Sequence, residues 1–110
     1  MSARQDYAAF ASPLPHPGEH LREDWLPQFG LTAWSLAKAM GLKDRTRIER
    51  LVREQRPVTP DTALRLAKVF GTTPDLWLGL QMQHDLSRIA IERREELARI
   101  APLAATEAAA

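Results

Sequence analysis

Two short runs carry residue types capable of chemistry. His16-Pro17-Gly18-Glu19-His20 matches H-x-x-E-H, the order in which inverted zinc peptidases set two histidine ligands and a glutamate base on one helical turn. That chemistry needs both histidines on one face of a formed helix. Here Pro17 and Gly18 stand between them and no third ligand follows, so the run is expected to open and cap a helix. The second run is residues 43–56. Lys43, Arg45, Arg47, Arg50, Arg53 and Arg56 face only Asp44, Glu49 and Glu54, a local excess of +3, while each flank sums to −1. A chain of net charge +1 thus concentrates its positive excess in 14 residues, the electrostatic footprint of a nucleic-acid binder. The plainer alternative is a solvated helix face.

Other chemistry is thin. With no cysteine, thiolate zinc sites, disulfides and a cysteine nucleophile are excluded. The serines lie in no nucleophile elbow and no glycine-rich phosphate loop exists. No catalytic residue, metal or cofactor is expected, and the chain is not read as an enzyme. His84, alone on a long helix, is expected at the surface or an interface. No apolar run approaches the roughly 20 residues of a membrane helix. At 110 residues the chain is one domain's worth of sequence, with a cytoplasmic location as the expectation.

The elements that must position these residues read as all-α, five helices joined by short connections. Met1 to Pro15 is an extended arm with apolar anchors at Tyr7, Phe10 and Leu14. Pro17 suits a first helical position, and Leu21, Trp25, Leu26 and Phe29 give a helix near 17–28, ended by Gly30. Thr32 caps a second helix with Leu36, Ala37 and Met40 buried. Gly41 turns the chain. Asp44 caps a third helix whose apolar positions are Ile48, Leu51 and Val52. Thr59 and Pro60 open a fourth, closed by Gly71. Thr73, Pro74 and Asp75 open a long fifth that runs to about Ile100. The domain organisation is therefore an arm at 1–15, a core at 16–86, and a helical extension with a frayed tail at 87–110.

Two short helices joined at Gly41 form a helix-turn-helix unit, whose second helix enters the DNA major groove. With Ile48, Leu51 and Val52 inward, the outward face is Thr46, Arg47, Arg50, Arg53 and Glu54. Arg47 and Arg50, assisted by Thr46, are assigned to base reading, because the arginine fork fits a guanine edge. Lys43, Arg53, Arg56 and the helix start at Thr32 are assigned to phosphates. Trp25, Trp34 and Trp77 read as core or interface aromatics, with Trp34 partly exposed beside the recognition helix.

The run His16-Pro17-Gly18-Glu19, then LTAWSLAKAMG (31–41), RPVTPDTALRLAKVFG (56–71) and TPDLWLGL (73–80), closely resembles HigA-type antitoxins. These belong to the Xre/Cro-like helix-turn-helix regulators, and the resemblance covers about residues 16–86. It implies an antidote that neutralises a HigB-type, RelE-like mRNA-cleaving toxin and represses its own operon as a dimer on double-stranded operator DNA. A stand-alone repressor without a toxin is the alternative. Three departures stand out. Thr32-Ala33 replaces a Ser-Gln-like pair, removing a glutamine contact to DNA. Five residues, Lys43 to Arg47, separate Leu42 from Ile48 where the family has four. Glu54-Gln55 replaces a Gly-Lys pair, losing a glycine cap.

The fifth helix is too long for this core, and Met82, Leu86 and Ile89 continue an apolar stripe that Arg93 interrupts. A second copy of the chain is expected to cover them as a homodimer, with half-sites roughly 34–36 Å apart. Folding back onto the first helix is the alternative. The arm, with Tyr7 and Phe10, gains little by folding alone. With the first helix around Arg22, Trp25 and Leu26, it is expected to contribute to the toxin contact.

Overall fold

The computed structural model describes residues 6–106. Six helices make up the regular structure, with no strand among the described residues: α1 (17–29), α2 (Ala33–Ala39), α3 (Thr46–Val52), α4 (Pro60–Phe70), α5 (Pro74–Glu92) and α6 (Arg94–Ala98). The start signals act as local chemistry dictates. The hydroxyls of Thr32, Thr59 and Thr73 each accept from the backbone N–H three residues on, satisfying donors that no helical turn can reach. Gly30 and Gly41 take left-handed conformations, at φ 63° and 76°. They let Leu31 N–H reach Leu26 O and Leu42 N–H reach Ala37 O, both at 2.9 Å, which closes the helix ends.

Two helices differ from the sequence pattern. The first is one rod, Pro17–His20 and Leu26–Phe29 joined by a π-helical turn, Leu21–Trp25. Pro27 has no N–H and its ring would crowd the Glu23 carbonyl. The widened turn just before it, in which Leu26 N–H bonds Leu21 O, accommodates that ring. The expected fifth helix is two. Arg93, at φ −111° and ψ 27°, separates α5 from α6 where the apolar stripe breaks.

The core gathers Leu21, Leu36, Ile48, Leu51, Leu66 and Trp77, all fully buried. Each large aliphatic contributes about 1.5–3 kcal/mol. Trp25, Phe70 and Trp77 close one end with ring centroids 4.9–5.9 Å apart, and Trp77 Nε1–H donates to Thr72 Oγ1 at 2.8 Å. Gln81, buried, accepts from Val58 N–H at 2.8 Å and donates to Asp85 at 3.0 Å. No described buried side-chain polar atom lacks a partner. No described helix is long and apolar enough to cross a membrane.

The arm is not free. Tyr7–Ala9 form a 3-10 turn, and the following residues lie along α5 and α6. Leu14 N–H donates to Ser87 Oγ at 2.8 Å, and Leu14 O meets His84 Nδ1 at 2.7 Å. Arg94 donates to Ala8 O at 2.8 Å. His84 is thus a clasp for the arm rather than a solitary surface histidine. The arm lies on the His84 and Ser87 side of α5, while Met82, Leu86 and Ile89 stay exposed.

Candidate nucleic-acid interface

The basic run folds into the turn after α2, the whole of α3 and the loop that follows. Asp44 acts one residue outside the helix: its carboxylate accepts from Thr46 N–H at 2.8 Å. That bond, with the Thr46 hydroxyl and more distantly Arg50 and Arg56, holds the Asp44 carboxyl below its usual pKa. The extra residue between Leu42 and Ile48 is therefore taken up by a carboxylate turn. Ile48 and Leu51 anchor α3 in the core.

α3 is held at both ends. At its C-terminal end, Gly18 of α1 lies so close to the Leu51 carbonyl that an added Cβ would stand 1.9 Å from that oxygen. Arg22 donates to the Val52 carbonyl and pairs with Glu23 and Glu54, both at 3.1 Å. Glu54 adopts φ 63° where the resemblance puts glycine. The conformation is retained at a cost of about 1 kcal/mol. At its N-terminal end, Arg47 reaches α4, where Nη2 donates to Thr62 Oγ1 at 2.6 Å and to the Asp61 carboxylate. Arg65 adds a 3.1 Å contact to Asp61 and a 2.8 Å bond to Met40 O at the end of α2. Arg47 first, then Arg65, keeps the Asp61 carboxyl below its usual pKa.

These contacts sort the cations. Arg45 pairs with Glu49 at 3.2 Å, and Arg22, Arg47 and Arg65 are engaged as above. Lys43, Arg50, Arg53 and Arg56 are exposed and pair with no carboxylate among the described residues. Arg47, assigned above to base reading, has its guanidinium bound to Asp61 and Thr62, and its side chain is 23% exposed. Thr46 is half-buried on the first turn. Thr32 has its hydroxyl and N–H taken up in a capping box with Ser35, which leaves the N–H groups of Ala33 and Trp34 open at that helix start. Trp34 is 53% exposed, with Lys38 Nζ 5.4 Å from its ring centroid. The sequence reading missed Asp61, Thr62 and Arg65. Only the Asp61–Arg65 spacing of four was legible in advance.

The metal motif resolves as a cap. His16 is buried, and its Nδ1 accepts from Gly18 N–H at 2.9 Å. Burial and then the neighbouring His84, its ring edge-on at 4.9 Å, push the His16 imidazole below its usual pKa, in keeping with an unprotonated Nδ1. His20 turns instead toward Asp24, 3.8 Å away. No described group of three or more ligand-type side chains has a metal-binding arrangement.

Residues 21–77, which hold α2, the Gly41 turn and α3, match the helix-turn-helix family model. The chain belongs to the Xre/Cro-like helix-turn-helix family. It is 45% identical over 91 residues to virulence-associated protein I of Dichelobacter nodosus, covering 83% of this chain and 82% of that one. The Pseudomonas aeruginosa antitoxin HigA, solved with the higBA promoter, superposes with a TM-score of 0.77 at 32% identity, covering 83% of this chain and 99% of HigA. The antitoxin GraA in complex with its operator gives 0.72 at 38% identity, covering 83% and 92%. The family assignment is thus to its HigA-type branch.

Proposed function

We propose that this chain is the antitoxin of a type II toxin–antitoxin module, a two-fold dimer that represses its own operon and neutralises a RelE-like toxin. The observation that carries the DNA half is the sorting of cations on α3. Arg50 and Arg53 are exposed and pair with no carboxylate among the described residues, in a fold shared with antitoxins solved on promoter or operator DNA. Arg50 reads a base edge, with Thr46 beside it on the first turn. Lys43, Arg53, Arg56 and the open N–H groups at the start of α2 hold phosphates.

The dimer is supported by one face of α5. Met82, Leu86 and Ile89 are 56%, 43% and 39% exposed, while the opposite side, at His84 and Ser87, carries the arm. Exposed apolar side chains at helical spacing are suited to burial against a second copy.

For the toxin, the arm and α5 together make the docking surface, with Tyr7 and Phe10 half-buried on it. Arg22, also assigned to that contact, donates to the Val52 carbonyl and pairs with Glu54. Co-expression with the product of the gene beside this one tests the reading. Co-purification that is lost on deleting residues 1–15 is the expected result. Co-purification retained moves the contact elsewhere, and a non-toxic neighbour that does not co-purify leaves the stand-alone repressor.

A further inference from the structure

We propose that Asp61 is a positioning residue for DNA recognition, holding the Arg47 guanidinium against α4 and so fixing the pitch of the recognition helix α3. The inference rests on the DNA-binding reading above. Arg47 places a cation at the first turn of α4, where the helix dipole disfavours positive charge. Asp61, at that turn, supplies the negative charge that makes the placement favourable. The remaining bonds are directional. Arg47 gives Thr62 Oγ1 two N–H bonds, Nε at 3.2 Å and Nη2 at 2.6 Å. Both lone pairs of that buried hydroxyl are then used, so its own hydrogen points to Thr59 Oγ1, 3.1 Å away. Thr59 is the cap of α4. The chain of bonds therefore runs from α3 into the cap of α4. Arg65 extends it to α2 by donating to Asp61 and to Met40 O.

The consequence for recognition is specific. α3 has 7 residues, and its cap residue, Arg45, gives the N–H groups of the first turn no side-chain cap. Core contacts at Ile48 and Leu51 fix its depth, but rotation about its axis is set by side chains that reach neighbouring helices. Among the described hydrogen bonds and ion pairs, Arg47 is the side chain of α3 that reaches α4. Without Asp61, Arg47 is repelled from the end of α4, and Arg50 loses its fixed aim at the groove.

Asp61→Asn tests this by the ratio of affinities for operator and shuffled DNA. Partial unfolding weakens both affinities equally and leaves the ratio unmoved. Removal of a negative charge near DNA raises affinity for any sequence. A misdirected α3 lowers the ratio, here by about tenfold, the effect of one misread base pair. Asp61→Asn added to Arg47→Ala should lower the ratio no further than Arg47→Ala alone, since both break one link. Hydrogen exchange of the free protein gives a readout independent of DNA: amides of Thr46–Val52 should lose protection in Asp61→Asn relative to those of α5. A ratio that stays level or rises overturns the proposal, because Asp61 would then merely mask a base-reading Arg47. Unchanged protection of α3 overturns it too. A wild-type chain with no operator preference would overturn the DNA-binding reading instead, and the exchange measurement would still decide the role of Asp61.

Discussion

Gly18→Ala should cost about 3 kcal/mol, the upper part of the range for overpacking a core, and lower the thermal midpoint by roughly 10–20 °C. The added methyl would lie 1.9 Å from the Leu51 oxygen, 3.0 Å from its carbonyl carbon and 3.1 Å from His16 Nδ1. Two of those atoms are backbone of Leu51, buried near the end of α3, and the third belongs to the cap of α1. None can swing aside as a flexible side chain would. Relief requires α1 and α3 to part, which opens the packing of Leu21 and Leu51, both buried, and draws Arg22 off the Val52 carbonyl. The change falls on the helix proposed to read DNA, so operator affinity should decline with it. Calorimetry on the full chain checks the prediction. A midpoint within a few degrees of wild type would mean that α1 does not bear on α3 as described.

Leu86→Glu should leave folding intact and abolish the dimer. Leu86 is 43% exposed in the single chain and stands between Met82 and Ile89, so a charge there costs the monomer little. In a two-fold interface each copy would bury an unpaired carboxylate against the other's apolar stripe, which is strongly unfavourable. Light scattering should report a monomer while circular dichroism stays helical. Affinity for a two-half-site operator should fall on the order of 100-fold, because the tether between half-sites supplies that much avidity. Binding to an isolated half-site should be nearly unchanged. A variant that remains dimeric places the interface on another face.

The sequence made legible whatever local chemistry decides. Thr32, Thr59 and Thr73 cap helices, glycines at 30, 41 and 71 end them, and the period of three and four puts Ile48 and Leu51 inward and Arg50 outward. Contacts between distant segments left no such trace. Arg47 occupies an outward position by period, and its capture depends on Asp61 and Thr62 some 14 residues later. The arm binds α5 through its backbone at Leu14 and α6 through its backbone at Ala8, which imposes no pattern on its side chains. The π turn follows from Pro27 inside an otherwise regular apolar stripe. The break at Arg93 coincides with the interruption of that stripe, yet neither glycine nor proline marks it. His16 and Gly18 looked like pieces of a metal motif because the motif records residue types alone. In three dimensions the histidine is a cap and the glycine a point of close approach.

The central claim is that the free face of α3 reads operator DNA through Arg50. A binding titration on the DNA upstream of this chain's own gene, against a shuffled duplex at physiological salt, tests it most directly. Wild type should prefer the upstream DNA by at least about a thousandfold. Arg50→Ala should lose on the order of 1–3 kcal/mol of that preference and relax it at one base pair of each half-site. Arg53→Ala should weaken both duplexes alike and flatten the salt dependence by about one phosphate contact. A wild-type chain that binds the two duplexes equally, or an Arg50→Ala variant with undiminished preference, would contradict the claim.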